Sequence, residues 1–509
     1  MKLSRISASA WIVGAFAAVI GLTLSVYFAR AGAPYEQNWP ASYNFASSDN
    51  SILFQFAHDV FTGMTLDWSF SPQVYVFPEI PISLLAYLVA GGNFAWYFVV
   101  VALINVSLLF AAIWWLTALL FGGSLPQQLM RAFIASSPLI LFPLFTTHWM
   151  YLFHLAPTYY FGMYLFGLLL PAALLSPKTW SRGLVLAGWM LAGAVSPLVT
   201  AMTLPGLVIM FFVTFLRERW SHRLRHQLLM VGIALAGVAL LRVLVFEKMA
   251  AASPLSYIAD SYTLKRYVQI YDNFNGGFQR GFDPVLYVIS LAAVAFTLVI
   301  MVIFIRRMFT RKPQGRELAR LQSGIYLMAF PTMGGIAMSA ILAIDFYYLW
   351  PFFMGSVVIS LLWLPEFVRF SPRAVTMTAA SLASFIVVAS GVAISQGTNV
   401  DNRYFGYRSD ITKCLDQYVP GQTGYTTFSD ARSNSLTSHT GVELIAVNPQ
   451  LGPTFWLTNK AQSREHTGTF VLINPKANEP PITTEGVIAK LGKPVATYQC
   501  GDVLILGYK

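Results

Sequence analysis

The chain has 509 residues, of which 56% are hydrophobic and 11% charged, with a formal net charge of +11. Soluble proteins carry roughly 25% charged residues, so a water-soluble globule of this size is excluded for want of polar surface. A polytopic α-helical membrane protein is expected instead. Nucleic acid is excluded as a partner, because the basic residues cluster in short loops between apolar runs.

The first apolar run covers 8–29, behind a leader holding Lys2 and Arg5. It is longer than the core of a cleavable signal, which predicts a retained first helix. Further runs at 93–121, 130–147, 159–175, 183–198, 199–216, 228–246, 285–305, 325–344, 348–364 and 374–395 bring the expectation to about eleven transmembrane helices. The two between 183 and 216 are short and share a turn at Ser196 and Pro197. A tilted or re-entrant hairpin and one long kinked helix both fit that pattern.

Lys and Arg orient the set. Five loops are basic: one with Arg131, one with Lys178 and Arg182, and one with Arg217, Arg219, Arg223 and Arg225. The fourth holds Arg306, Arg307, Arg311, Lys312, Arg316 and Arg320, and the fifth Arg369 and Arg373. With eleven spans and a cytoplasmic N-terminus, all five face the cytoplasm. The expected protein is a multi-pass protein of the inner or plasma membrane. Residues 1–395 form its membrane domain, with loops 31–80 and 247–284 outside. Residues 396–509 alternate short β-like runs ("GVELIAVN", "GTFVLINP", "DVLILGYK") with turn signals, which predicts a C-terminal extracytoplasmic α/β domain. In an oxidising compartment Cys414 and Cys500 can pair, worth roughly 2–4 kcal/mol; two free thiols are the alternative.

Loop 31–80 is acidic, with Glu36, Asp49, Asp59, Asp67 and Glu79. Behind Asp49 the apolar residues Ile52, Phe56 and Val60 recur every four positions, with Leu53 and Ala57 beside them. That periodicity predicts a short amphipathic helix lying in the interface, with Asp49 at its start, where a carboxylate is stabilised. Glu79 sits between Pro78 and Pro81, whose stiff backbones present it in a defined place. His58 and Asp59 lie on the predicted helix.

These residues carry a resemblance. Asp49, Asn50, Ala57, Gly63, Asp67, Trp68, Phe77, Glu79 and Pro81 together resemble the first outer loop of the GT-C glycosyltransferases. The nearest in kind are the protein O-mannosyltransferases and the lipid A aminoarabinose transferases. Asn50 stands where that pattern has a second acid, and Glu79-Ile80-Pro81-Ile82 replaces its Glu-Lys-Pro-Pro form. The resemblance implies a GT-C-like fold. It also implies inverting transfer of a sugar from a polyprenyl-phosphate donor to a cell-envelope glycan or lipid on the outer face. Asp49 is then the general base, taking the acceptor hydroxyl proton. Glu79 positions a substrate or a metal.

The leaving phosphate needs cations. Lys265, Arg266 and Arg280, in "SYTLKRYVQIYDNFNGGFQRGFDP", supply them, or else reach lipid headgroups. His148 and His154 are candidates for phosphate or sugar contact, or mark a polar interface. Asp345, between two spans, is a substrate candidate or a helix cap. Metal dependence stays open. Asp49, His58, Asp59 and Glu79 offer ligands, Asp49 and Glu79 foremost, but in no specific zinc or calcium spacing. The rival readings are an O-antigen ligase or polymerase and a transporter of a lipid-linked substrate. Against the transporter stands the scarcity of charge within the spans, where Arg242 is the clearest case.

Overall fold

The computed structural model describes residues 7–31, 48–71, 73–145, 153–158, 161–250, 283–311, 313–342, 351–367, 409–465, 467–476 and 480–508. It is a helical bundle with a small mixed sheet near the C-terminus.

The first helix, α1 (Ala8–Ala31), is followed by two short ones, α2 (Ser48–Thr62) and α3 (Glu79–Val89), with the two-residue strand β1 (Trp68–Ser69) between them. The bundle continues through α4 (Phe94–Phe121), α5 (Leu125–Phe145), α6 (Phe161–Leu175), α7 (Thr179–Val195), α8 (Pro197–Glu218), α9 (His222–Leu244), α10 (Asp283–Thr310), α11 (Gly315–Leu342) and α12 (Ser356–Trp363). Among the described residues, five segments are long and apolar enough to cross a membrane: Ala8–Ser25, Trp96–Phe121, Pro197–Glu218, His222–Leu244 and Pro284–Thr310. On α9 and α10 the apolar residues Leu229, Ile233, Val243, Val288 and Val302 are exposed, as lipid-facing side chains would be.

Five other predicted runs are helices, but they fall short of those five in length or apolarity. Helix α5 continues through Pro138 and Pro143, and α6 through Pro171. Helix α7 has 17 residues, and the first two turns of α11 carry Arg316, Glu317 and Arg320. The predicted run 374–395 lies outside the described residues. At Ser196 the backbone is extended (φ −127°, ψ 106°), so α7 and α8 are two helices and not one kinked rod. Helix α3 was not expected: its prolines read as a stiff loop, but Pro81 sits in the first turn, where the missing N–H has no partner to lose.

Four of the basic loops meet at one end of the bundle; the fifth, with Arg369 and Arg373, lies outside the described residues. Glu366 takes Arg131 (3.1 Å) and Arg320 (2.6 Å), Arg223 donates to the Gly315 carbonyl (3.3 Å), and Arg316 donates to Leu119 (3.3 Å). The opposite end carries α2, β1, α3 and the C-terminal domain, and is called here the capped end. Within the bundle, hydroxyls fold back onto the preceding turn, as in Thr117 to Ile113 and Thr214 to Met210 (both 2.8 Å), which satisfies them within their own helix. Helix α8 packs along α11 through glycine: a Cβ on Gly334 would strike the Met202 carbonyl oxygen.

The C-terminal domain runs α13 (Asp410–Tyr418), β2 (Thr423–Thr426), α14 (Phe428–Thr437), β3 (Glu443–Ala446), β4 (Thr458–Asn459), α15 (Lys460–Glu465), β5 (Phe470–Ile473), α16 (Thr484–Leu491), β6 (Ala496–Cys500) and β7 (Val503–Gly507). Its sheet has the order β3-β2-β5-β7-β6, with β2 parallel to β3 and β5, and β7 antiparallel to β5 and β6. All four residues of β5 are buried, as a strand covered on both faces requires. Phe470 and Leu472 enter one core with Cys414 and Ile505; Val471 and Ile473 enter the other with Ile445 and Leu506. Cys414 and Cys500 are joined in a disulfide, with Cα atoms 6.1 Å apart.

Replacing Gly334 by Ala should cost about 1–3 kcal/mol through overpacking. Gly232, on α9, faces open space, so Gly232→Ala should be neutral or stabilising by up to about 1 kcal/mol. Thermal unfolding of both variants in detergent checks this; equal melting temperatures would refute the close α8–α11 crossing.

Candidate functional site

Asp49 and Asn50 lie in the first turn of α2, the end of a helix that stabilises negative charge. The helix buries Ile52, Leu53 and Ala57 completely. Phe54 packs on Tyr87, Phe94 and Tyr97 with ring centroids 5.0–5.3 Å apart, which fixes α2 against α3 and α4. Of the apolar period read from the sequence, Ile52, Leu53 and Phe56 pack with Trp68, Phe70 and Leu457, while Phe54, outside that period, meets α3 and α4.

Glu79 opens α3 and is buried, at 5% exposure. One carboxylate oxygen accepts the Gly162 N–H (3.0 Å) at the start of α6. Gly162 is glycine for a reason of space: a Cβ there would strike Pro78. With eleven residues, α3 is about half the length that spanning a bilayer requires. Burial pushes the Glu79 carboxyl up from 4.5 to about 7, against the opposing pull of the Gly162 N–H.

Asp59 is buried and accepts from three side chains: Gln55 Nε2 (2.8 Å), Trp68 Nε1 (3.1 Å) and Asn459 Nδ2 (2.8 Å). Asn459 belongs to β4, which pairs antiparallel with β1. Its amide also donates to the Thr65 carbonyl (2.8 Å), and the Arg432 guanidinium lies 5.0 Å over the Trp68 ring. Asp67 pairs with Arg464 at 3.0 Å. The acids and aromatics of the loop thus join the C-terminal domain to α2. His58 meets the Tyr87 hydroxyl through Nδ1 (3.0 Å), on the helix that begins at Glu79.

His154 is buried, with Nε2 2.5 Å from the Leu139 carbonyl. Burial lowers its pKa to about 4, against the opposing pull of the Leu139 carbonyl. His148, Lys265, Arg266, Arg280 and Asp345 lie outside the described residues. Among the described residues, no group of three or more His, Cys, Asp or Glu side chains could hold a metal ion.

Sequence reasoning did not foresee Gly162 or Asn459. Each matters through a partner 83 or 400 residues away, a separation no local pattern encodes. The chain matches no protein-family model, no curated protein and no solved structure.

Two outcomes follow from this geometry. Between pH 4.5 and about 7 the folded protein keeps the Glu79 proton that the unfolded chain has released. Stability therefore falls as pH rises through that window, by about 3 kcal/mol from this group. Melting curves across pH 4.5–8 should slope less for Glu79→Gln; identical slopes would place the carboxyl in water. Second, Asn459→Leu leaves Asp59 short of a donor and should cost about 1–3 kcal/mol. Hydrogen exchange at 65–70 should then accelerate, and unchanged protection would refute the clamp.

Proposed function

We propose that the chain is an integral membrane glycosyltransferase of GT-C type. It transfers a sugar, with inversion, from a polyprenyl-phosphate donor to a cell-envelope glycan or lipid. The capped end faces the extracytoplasmic side and the basic end the cytoplasm, with about eleven crossings between them. The observation that carries the reading is one layer of short helices at the capped end that holds two acids. Asp49 heads α2, and the buried Glu79 heads α3, held by the start of α6.

In the proposed reaction the Asp49 carboxylate takes the proton of the acceptor hydroxyl as its oxygen attacks the anomeric carbon. The bond from that carbon to the phosphate oxygen breaks, and polyprenyl phosphate leaves. General-base help of this kind contributes roughly 10²–10⁴-fold. Glu79, which titrates near 7, positions a substrate hydroxyl or a metal and can hold a proton at physiological pH. The C-terminal domain, docked on α2 through Asn459, covers the site or holds the acceptor.

The test is transfer of radiolabel from a panel of polyprenyl-phosphate sugars in membranes containing the wild type or Asp49→Asn. The expected result is transfer by the wild type and a loss of at least about a hundredfold in the variant. An equally active variant would remove Asp49 from the mechanism, and no transfer from any donor would favour a transporter.

A further inference from the structure

Helix α9 carries a charged residue near its C-terminal end. Arg242 is 9% exposed, and one of its nitrogens, Nη1, donates to the carbonyl of Val195 at 3.2 Å. Among the described residues, Nε and Nη2 are buried and have no hydrogen-bond partner. These two N–H groups form one edge of the guanidinium, the parallel pair that grips two oxygens of a phosphate or carboxylate. A buried cation with its fork unfilled is costly unless an anion completes it. In a membrane protein such a residue marks a functional site.

Its surroundings point to the same chemistry. Val195 is the last residue of α7, and Ser196 is the N-cap of α8, whose side chain makes no capping hydrogen bond. The N-terminus of the 22-residue helix α8 presents the positive end of its dipole. The hydroxyls of Ser196 and Thr200, both in this first stretch, are buried and without a partner among the described residues. The Thr200 hydroxyl lies against Gly193 of α7, where a Cβ would collide with it. The nearest acid in sequence, Glu247, is exposed; its charge acts on Arg242 from a distance but fills neither Nε nor Nη2. The Val195 carbonyl also accepts the Val74 N–H (3.2 Å), so the segment leading to Glu79 is anchored beside the guanidinium.

We propose that the Arg242 fork, the first turn of α8 and the Ser196 and Thr200 hydroxyls form a binding site for a phosphate group. The guanidinium edge takes two phosphate oxygens, and the hydroxyls donate to the others. The site does not depend on sugar transfer. If the transferase reading holds, it supplies a cation for the donor's phosphate from within the bundle, apart from Lys265, Arg266 and Arg280.

The experiment is ligand binding to the full chain in phosphatidylcholine nanodiscs, with farnesyl phosphate, farnesol and inorganic phosphate as probes. Farnesyl phosphate should bind at least about tenfold more tightly than farnesol. Arg242→Gln should abolish that difference. Arg242→Lys, which keeps the charge and loses the fork, should weaken farnesyl phosphate by about tenfold, and Thr200→Val by a few-fold; both serve if the Gln variant fails to fold. Inorganic phosphate binding with the same Arg242 dependence would identify a free anion as the ligand. Binding of farnesyl phosphate alone would identify a lipid-borne phosphate, and competition by added phosphatidic acid a phospholipid headgroup. Equal binding of farnesol and farnesyl phosphate, or unchanged affinity in a folded Arg242→Gln or Arg242→Lys protein, would overturn the site. Because no sugar is transferred, this outcome is separate from that of the radiolabel assay.

Discussion

The Asp59 carboxylate is the point on which the capped end depends. A buried carboxylate is tolerable when its lone pairs are filled, and Gln55, Trp68 and Asn459 fill them from three places in the chain. One donor lies a turn away on α2, one on β1, and one on the C-terminal domain. The same few atoms therefore define the rotation of α2, the path of the loop after it, and the seat of the sheet domain. Arg432 over Trp68 and the β1–β4 pairing reinforce the seat. The first turn of α2, with Asp49, takes its place from that clamp and from the Phe54 aromatic packing on the opposite side of the helix.

Two constraints of different kinds meet at this end. Below it the bundle obeys the rule of lipid, in which each backbone and hydroxyl group must be satisfied internally. Hydroxyls return to their own helix, Trp189 donates to Thr203 (3.0 Å), and Gln322 donates to Thr214 (3.1 Å). Among the described residues, unfilled polar atoms remain in the bundle at Trp114, Gln322, Ser323 and Trp363, and the capped end adds two ionisable groups. Glu79 is left with a carboxyl that titrates near neutrality, and the fork of Arg242 is left open.

Much of this was legible in the residues. Apolar run lengths marked the helices, the four-residue period of Ile52, Phe56 and Val60 marked α2, and alternating runs marked the sheet. What misled was proline. Pro78 and Pro81 suggested a stiff loop, yet a helix begins there, because proline is tolerated in a first turn. Pro138, Pro143 and Pro171 lie inside continuous helices, where the apolar runs had placed helices. The acids were legible as acids but not as partners. Nothing local distinguishes Asp59, enclosed by donors, from Asp49 at a helix head, since the distinction is made by Asn459. Arg242 was visible as a charge among apolar residues, but its open fork follows from the break at Ser196, which the sequence left as one of two possibilities.

The span between Asp59 and Asn459 sets a timetable for the molecule. Four hundred residues separate the two, and at about 5–20 residues per second a ribosome takes roughly 20–80 s to cross that interval. Throughout it α2 exists without its third donor, and β1 without its partner strand. The layer that holds Asp49 is thus among the first parts of the chain to be made and among the last to be completed, because its assembly waits for the final hundred residues. A chain stopped short of β4 would own every helix of the bundle and still lack a finished capped end.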